Sequence, residues 1–231
     1  MKSQNPFNGT GTALITPLLM NEEIDYTALA NLVNSQIAGG VNFLVPCGTT
    51  GCSPTMTHEE HQRVIREVVN LANGRVPIMG GTGSNWTREA IILTRAALAD
   101  GVSGFLVVAP YYNKPTVDGI SGHYRAIAKV AGGRPVILYD IPGRCGGNMV
   151  PARIILELAR EGTIAGLKWA SGNLDQLMEV LADRPEGFKV FSGDDNLTLT
   201  AMGLGADGVI SVASNLVPGA IVNLVNEMNR E

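Results

Sequence analysis

The stretch Gly162-Thr-Ile-Ala-Gly-Leu-Lys168-Trp-Ala-Ser-Gly172 contains an apolar run, residues 164–167, that ends at a single lysine. Glycine and serine close the stretch, so it predicts a short buried strand. Because side chains alternate along a strand, Ile164, Gly166 and Lys168 should share one face, with Gly166 leaving room beside the lysine. A lysine in apolar surroundings loses affinity for its proton and can attack a carbonyl carbon. A surface lysine with its ammonium in water is the alternative that the spacing leaves open.

Further short apolar runs accompany this one, and longer segments with helical spacing lie between them. The predicted strands are residues 12–16, 43–45, 77–79, 104–108, 136–139, 164–167, 189–191 and 208–211. The predicted helices are residues 26–37, 58–71, 89–99, 117–130, 152–160, 174–181, 196–202 and 218–228. Strand–helix units repeated in this way predict parallel strands covered by helices. In a chain of 231 residues, they favour a single α/β domain over residues 1–231, a (β/α)8 TIM barrel.

An open doubly wound sheet is the alternative arrangement of the same units. It would be expected to carry a stronger nucleotide fingerprint than Gly9-Thr-Gly11-Thr12, which should precede a strand, whereas the fingerprint follows one. Capping patterns agree with the predicted helices. Thr57 and Glu60 form a candidate capping box, and Asn85 and Asn173 stand at candidate N-cap positions.

The composition is that of a globular protein, with 45% hydrophobic and 16% charged residues. A net charge of −4 gives no indication of nucleic-acid binding. Three cysteines are too few for a disulfide framework and indicate a reducing compartment. No apolar run approaches the ~20 residues of a membrane-spanning helix, and the N-terminal Met-Lys-Ser-Gln-Asn-Pro lacks the apolar core of a signal peptide. We therefore expect a soluble, cytoplasmic protein with no nucleic-acid or membrane partner.

In a barrel of this kind the chemistry lies at the carboxyl ends of the strands and in the loops that follow them. The segments expected there are 46–52, 80–84, 109–115, 139–144, 168, 192–195 and 210–211. Among the side chains that they bring to one end of the barrel are Lys168, three tyrosines, the paired threonines Thr49 and Thr50, and Arg144.

These side chains suit one another chemically. The turn Gly48-Thr-Thr-Gly51 can hold a carboxylate through backbone amides and hydroxyls, and the guanidinium of Arg144 can hold another. Tyr139 lies on the strand next to that of Lys168, where its hydroxyl can move protons. Taken singly, these features also fit a glycine turn, a surface arginine and a core tyrosine. Together they predict a class I aldolase that needs no metal, in which Lys168 forms an imine with a 2-oxo acid.

Several motifs resemble the dihydrodipicolinate synthase family, which belongs to the pyruvate-dependent aldolase superfamily that includes N-acetylneuraminate lyase. They are Gly48-Thr-Thr-Gly51, Pro110-Tyr-Tyr-Asn113, Tyr139-Asp-Ile-Pro-Gly-Arg144, Gly166-Leu-Lys168 and Ser192-Gly-Asp-Asp195. The resemblance runs through essentially the whole chain. It implies condensation of pyruvate with aspartate 4-semialdehyde, the entry step of lysine and diaminopimelate biosynthesis, by a homo-oligomer, either a dimer or a tetramer.

The resemblance also implies roles for individual residues. Lys168 is the Schiff-base lysine, and its covalent imine with pyruvate takes the place of an external cofactor. Thr50, Tyr139 and Tyr112 form a proton relay, with Tyr112 contributed across a dimer interface.

Further matched positions bind the substrates. Thr49 and Thr50 hold the pyruvate carboxylate, while Gly193 and Ile210 line the pyruvate pocket through backbone groups. Arg144 binds the carboxylate of the semialdehyde, which favours the synthases over the neuraminate lyases, whose matching loop lacks the arginine.

A regulatory site for lysine is implied by six positions that match lysine-binding residues of some members. They are Ser53, His58, His61, Asn85, Glu89 and Tyr111. Glu89 can hold an ammonium group, and Asn85 and Tyr111 offer hydrogen bonds. The alternative is a solvated helix face, because His58 and His61 are three residues apart with glutamates between them. No zinc site is predicted there, since nothing nearby completes a ligand set.

The sequence departs from the family at three places. Cys52 and Trp169 stand where the family usually has acidic residues, and the chain stops at residue 231, before the family's usual C-terminal helical domain. Strand alternation should turn Trp169 away from Lys168.

Other interpretations remain open from the sequence. One is a sister enzyme, either a 2-keto-3-deoxy sugar-acid aldolase or an N-acetylneuraminate lyase, which would act on another aldehyde. Another is a phosphate-binding barrel, disfavoured by the two acids and the absence of lysine or arginine in 192–195. The last is a binding barrel without catalytic activity.

Overall fold

The architecture is that of a parallel barrel, seen in a computed structural model that describes residues 5–230. The strands are β1 (Gly9–Ala13), β2 (Phe43–Val45), β3 (Met79–Gly81), β4 (Gly104–Val108), β5 (Val136–Asp140), β6 (Gly166–Trp169), β7 (Lys189–Ser192) and β8 (Gly208–Ser211). Their order in the sheet is β2-β1-β8-β7-β6-β5-β4-β3. A parallel bridge between Leu44 and Ile78 joins the two ends of this order and closes the barrel.

Helices alternate with the strands and form the outer layer. They are α1 (Tyr26–Ala38), α2 (His58–Ala72), α3 (Thr87–Ala99), α4 (Val117–Ala128), α5 (Ala152–Arg160), α6 (Leu174–Asp183), α7 (Thr198–Gly203) and α8 (Pro218–Met228). The predicted (β/α)8 barrel is therefore confirmed, and the bounds of β2, β4, β8, α5 and α8 are those that the sequence predicted. Within residues 5–230, none of these helices combines the length and the apolar character needed to cross a bilayer.

Two predictions concern the start of the chain, namely the position of β1 and the character of the N-terminal hexapeptide. Strand β1 begins at Gly9, three residues before the predicted start, so Gly9-Thr-Gly11-Thr12 lies within the strand and does not precede it. The apolar pattern misplaced this strand because β1 is buried on both faces, and small residues fit there as well as large ones. Thr12 satisfies its buried hydroxyl by donating to Gln36 of α1 at 2.7 Å. The N-terminal hexapeptide used to exclude a signal peptide lies mostly outside the described residues.

Strand β6, in contrast to β1, starts later than predicted, at Gly166. Ile164 precedes the strand and packs in the outer layer, so it does not share the inner face with Lys168. Gly166 does face inward, but it does not make room for the lysine. A Cβ atom at this position would lie 2.6 Å from the Lys189 carbonyl oxygen and 2.8 Å from Ile137 Cδ1, so glycine is needed for close packing of β5, β6 and β7.

The barrel interior is apolar except at one end. Phe7, Phe43 and Phe191 stack along it, with ring centroids 5.2 Å and 5.4 Å apart, and all three are fully buried. The Phe43–Phe191 pair is edge-to-face and the Phe7–Phe43 pair is tilted, and aromatic contacts of this kind add to the stabilisation from burial. Tyr139 and Lys168 carry the polar groups that enter this interior from β5 and β6.

Helix capping matches the sequence in two of three cases. The capping box of Thr57 and Glu60 begins α2, and Asn173 caps α6. Asn85 was predicted to cap α3, and this was wrong. That helix begins one residue later than a cap at Asn85 would require, and the Asn85 amide instead donates to the Asn113 side chain at 2.9 Å.

Candidate active site

A cavity of about 390 Å³ opens at the carboxyl ends of the strands. Its lining includes Thr49, Tyr111, Tyr139 and Arg144, which come from the loops or ends of β2, β4 and β5. These residues are up to 95 positions apart in the chain, and the parallel topology alone brings them to one rim.

Lys168 lies below this rim, inside the barrel. In the sheet it stands opposite Tyr139 on one side and Phe191 on the other, and its side chain is 4% exposed. The ammonium nitrogen is 4.3 Å from the centroid of the Tyr139 ring. This packing confirms that the lysine is buried and excludes the surface alternative.

Burial changes the protonation of this lysine. It lowers the pKa of Lys168 to about 8, with Asp194 and Asp195 acting in the opposite direction. Arg144 contributes a smaller lowering of the same pKa. Roughly a tenth of the amine is therefore neutral near pH 7, far more than for a lysine in water. The neutral amine is the form that can attack a carbonyl carbon.

Tyr139, the residue paired with Lys168 on the neighbouring strand, carries a hydroxyl that can serve as a proton donor. Burial raises the pKa of its hydroxyl to about 12, against the lowering influence of Arg144 and of a hydrogen bond with Thr49. The phenol consequently stays protonated at neutral pH and can give up a proton when a basic group forms beside it. Thr49 is the threonine of the turn whose side chain acts on the pKa of this hydroxyl.

The turn that carries both threonines is held by its backbone. Gly51 donates to the Gly48 carbonyl at 3.1 Å, and the Gly51 carbonyl accepts from the Thr16 hydroxyl at 2.8 Å. Cys47 and Cys52 flank the turn with φ of 56° and 55°, in the left-handed region that non-glycine residues rarely adopt. Strained backbone of this kind is common at functional sites.

Gly193 performs the task that the sequence assigned to Gly166. A Cβ atom at Gly193 would lie 3.0 Å from Lys168 Cε and 2.8 Å from Ala170 Cβ. Glycine at this position therefore leaves the space in which the lysine stem lies. Ile210, the other residue predicted to line the pocket, is fully buried in the barrel interior.

Tyr112 is not among the residues that line this cavity. Its side chain is 89% exposed, and its φ of 66° lies in the left-handed region. The neighbouring Tyr111, by contrast, lines the cavity. The strained backbone thus directs two consecutive tyrosines to different environments.

The six residues of the predicted regulatory site fall into two groups. Ser53 and Tyr111 line the cavity. The remaining four lie around α2 and α3, where His58 Nε2 is 2.8 Å from a Glu89 carboxylate oxygen. Ser84 donates to the other oxygen of Glu89, and this hydrogen bond is the main cause that lowers the pKa of the carboxyl.

His61 differs from its neighbour His58. It is 4% exposed, and burial lowers its pKa to about 4, so it is neutral at physiological pH. Nowhere in residues 5–230 do three or more His, Cys, Asp or Glu side chains come together as a metal-binding group.

Trp169 takes the outward position that alternation predicted. It is fully buried between the sheet and the helices, away from Lys168. Two residues that sequence reasoning missed lie in the same layer: Asp140, which directly follows Tyr139, and Gln176 of α6. Both are buried and hydrogen-bonded to each other at 2.7 Å. The only sequence signal for Asp140 was an acid within an otherwise apolar strand.

Comparison with known proteins identifies the relatives of this chain. The dihydrodipicolinate synthetase family matches residues 6–230. A 4-hydroxy-tetrahydrodipicolinate synthase of Leptospira biflexa is 47% identical over 220 residues, which are 95% of this chain and 74% of the relative. This chain therefore spans about three quarters of that relative's length.

Solved structures give the same result. A dihydrodipicolinate synthase from Cyanidioschyzon merolae with lysine bound has a TM-score of 0.94 and 38% identity, covering 98% of this chain and 76% of that one. A chloride-inhibited dihydrodipicolinate synthase from Acinetobacter baumannii, complexed with pyruvate, has a TM-score of 0.93 and 40% identity, covering 96% of this chain and 76% of that one.

The environment of Lys168 predicts the pH dependence of its reaction with a 2-oxo acid. The rate of imine formation with pyruvate should rise with pH and level off above a midpoint near pH 8, because only the neutral amine reacts. Asp194→Asn should move the midpoint to lower pH and Arg144→Met to higher pH, since their charges act on the lysine in opposite directions. Rapid-mixing kinetics from pH 6 to 11 measure these midpoints. A wild-type midpoint at the ordinary lysine value of 10.5 would show that burial does not activate the amine.

Proposed function

This chain belongs to the dihydrodipicolinate synthetase family, and we propose that it condenses pyruvate with L-aspartate 4-semialdehyde to 4-hydroxy-tetrahydrodipicolinate. The reaction is that of a lyase in lysine and diaminopimelate biosynthesis. The observation that carries the proposal is the buried amine of Lys168, which lies 4.3 Å from the centroid of the Tyr139 ring. Tyr139 in turn lines the cavity together with Arg144.

The first steps form the covalent intermediate. The neutral Lys168 amine attacks the ketone carbon of pyruvate, and the carbonyl oxygen takes up a proton to give a carbinolamine. Tyr139 then protonates the departing hydroxyl, which leaves as water, and the nitrogen lone pair closes the C=N bond of the imine. We place Thr49 in this relay in the position first given to Thr50, because Thr49 is the threonine that acts on the pKa of Tyr139. Thr50 keeps its role with Thr49 at the pyruvate carboxylate.

The later steps use the second substrate. Loss of a proton from the methyl group turns the imine into an enamine, whose carbon attacks the aldehyde carbon of the semialdehyde. The amino group of the new adduct then attacks the imine carbon, closes the ring and releases Lys168. Arg144 supports the choice of the semialdehyde as second substrate, because its guanidinium lies on the cavity wall and can hold the semialdehyde carboxylate.

Tyr112 completes the relay from a second subunit. Its exposure and strained backbone suit a side chain that projects from one protomer into the cavity of another. The active unit is accordingly a homo-oligomer that contains at least a dimer. The protein works in the cytoplasm, the compartment in which its three free cysteines stay reduced.

Lysine inhibits the enzyme by binding at the matched positions, of which Ser53 and Tyr111 line the cavity and Glu89 lies beside His58. Support comes from the relative with lysine bound and from Glu89, whose carboxylate stays ionised and can hold an ammonium group. His58 would have to yield its contact with Glu89 when the ligand binds.

The assignment of the aldehyde depends on Arg144. We expect Arg144→Met to lower kcat/KM for aspartate 4-semialdehyde ~10–100-fold, the loss of a charge-assisted hydrogen-bond pair, while imine formation with pyruvate persists. Propanal, which has no carboxylate, should lose much less. Coupled product assays with both aldehydes measure the two ratios. Equal losses would remove the carboxylate role, and turnover of a neutral sugar aldehyde in preference to the semialdehyde would indicate a sister enzyme.

A mixture of two variants tests the place of Tyr112. Lys168→Ala lacks the nucleophile and Tyr112→Phe lacks the relay hydroxyl, so each alone should be impaired. In a mixed dimer, the Lys168 of one subunit meets the Tyr112 of the other, and one complete site forms. Activity after denaturing and refolding the two variants together should exceed that of the same amounts refolded apart. No gain would show that Tyr112 serves its own subunit or none.

A further inference from the structure

Asp140 is buried beside the active site but faces away from it. It follows Tyr139 in β5, so alternation points it into the layer between sheet and helices, where it is fully buried. One carboxylate oxygen accepts from the Val150 amide at 3.1 Å, and the other accepts from the Gln176 side-chain amide at 2.7 Å. A buried carboxylate needs such donors, since an unpaired one would be costly.

Gln176 holds the backbone of Val150 as well. Its side chain is 4% exposed, and its amide nitrogen also donates to the Val150 carbonyl at 2.6 Å. Its amide oxygen accepts from the Ser171 hydroxyl at 2.6 Å. Both backbone polar groups of Val150 are therefore held by side chains, one from Asp140 of β5 and the other from Gln176 of α6.

The segment held in this way is residues 141–149, which contains Arg144. Asp140 directly precedes this loop and Val150 directly follows it, so the hydrogen bond between them closes the loop across its base. Two further contacts fix its interior: the Cys145 thiol donates to the Ala109 carbonyl at 3.3 Å, and the Asn148 amide donates to the Pro115 carbonyl at 3.0 Å.

The same network reaches the element that carries the nucleophile. Ser171 lies three residues after Lys168, and the Ala170 amide donates to the Asp140 carbonyl at 2.9 Å. The Arg144 loop and the end of β6 are thus tied to one buried residue, the loop through the Asp140 carboxylate and β6 through the Asp140 backbone carbonyl.

We propose that Asp140 and Gln176 are positioning residues that set the place of the Arg144 guanidinium relative to the Lys168 amine, and thereby the affinity for the acidic aldehyde. This inference rests on the proposed function. Neither residue touches substrate; both act through the loop. Because misplacement of a binding group by about 1 Å can cost ~10²-fold, loosening the base of this loop should be measurable in kinetics before it abolishes folding.

The chain contains a matched network that serves as a control. Gln36 of α1 is also a buried helix glutamine, which accepts from Thr12 of β1 at 2.7 Å and donates to the Ser214 carbonyl at 2.9 Å. It ties a strand to a loop in the same manner, but its loop does not carry Arg144. Loss of stability alone should therefore affect Gln36→Leu and Gln176→Leu alike.

The experiment compares Gln176→Leu and Asp140→Asn with Gln36→Leu in the full chain. We expect KM for aspartate 4-semialdehyde to rise ~10-fold or more in the first two, with KM for pyruvate and the rate of borohydride-trapped imine formation within about twofold of wild type. Asp140→Asn keeps the side-chain shape but places an amide donor against either the Val150 amide or the Gln176 side-chain amide. This variant tests the inference if Gln176→Leu does not fold. Gln36→Leu should leave the ratio of the two KM values unchanged.

Two outcomes would overturn the inference. One is a rise in both KM values by the same factor, as in a merely less stable protein, and the other is no change in the aldehyde KM of either variant. Absence of a pyruvate imine in the wild type would overturn the proposed function itself, and this inference with it. If the wild type forms the pyruvate imine but the variants do not raise the aldehyde KM selectively, this inference alone is overturned.

Discussion

The burial of the Lys168 ammonium group at the end of an apolar barrel is the constraint on which the chemistry of this protein depends. A charge placed among apolar and aromatic groups is unfavourable, and the protein meets that cost by lowering the pKa of the amine to about 8. Asp194 and Asp195 oppose this change, so the lysine keeps enough proton affinity to accept and release a proton near neutral pH. The buried rings of Phe43 and Phe191 pack edge-to-face in the same interior, with Phe191 next to Lys168 in the sheet. The energetics of the fold thus produce the nucleophile.

The loops that carry other functional groups near this amine are each held by specific hydrogen bonds. The threonine turn after β2 is flanked by two cysteines with left-handed backbone, and the Arg144 loop is closed at its base by Asp140 and Gln176. Preorganisation of this kind matters because the site must hold the aldehyde where the enamine carbon of the bound pyruvate can attack it. The exception is Tyr112, whose side chain is exposed.

The architecture could be predicted from the sequence because strand and helix periods alternate clearly. The errors have physical causes. An apolar run does not show where the hydrogen-bonded ladder begins, so β6 was placed two residues early and Ile164 was assigned to the wrong layer. Glycines are ambiguous for a similar reason, since only the packing of neighbouring strands shows that Gly193, and not Gly166, makes space for the lysine. Thr49 and Thr50 are adjacent in one turn, and the sequence does not show which hydroxyl meets Tyr139. The pair of Asp140 and Gln176, 36 residues apart, becomes visible only when the fold brings β5 and α6 together.

The claim that Lys168 is a nucleophile for pyruvate is tested most directly by intact-protein mass spectrometry after borohydride reduction in the presence of pyruvate. The wild-type protein should gain the mass of one reduced pyruvate adduct per chain, and Lys168→Ala should gain none. No adduct on folded wild-type protein, or an equal adduct on the Lys168→Ala variant, would contradict the account.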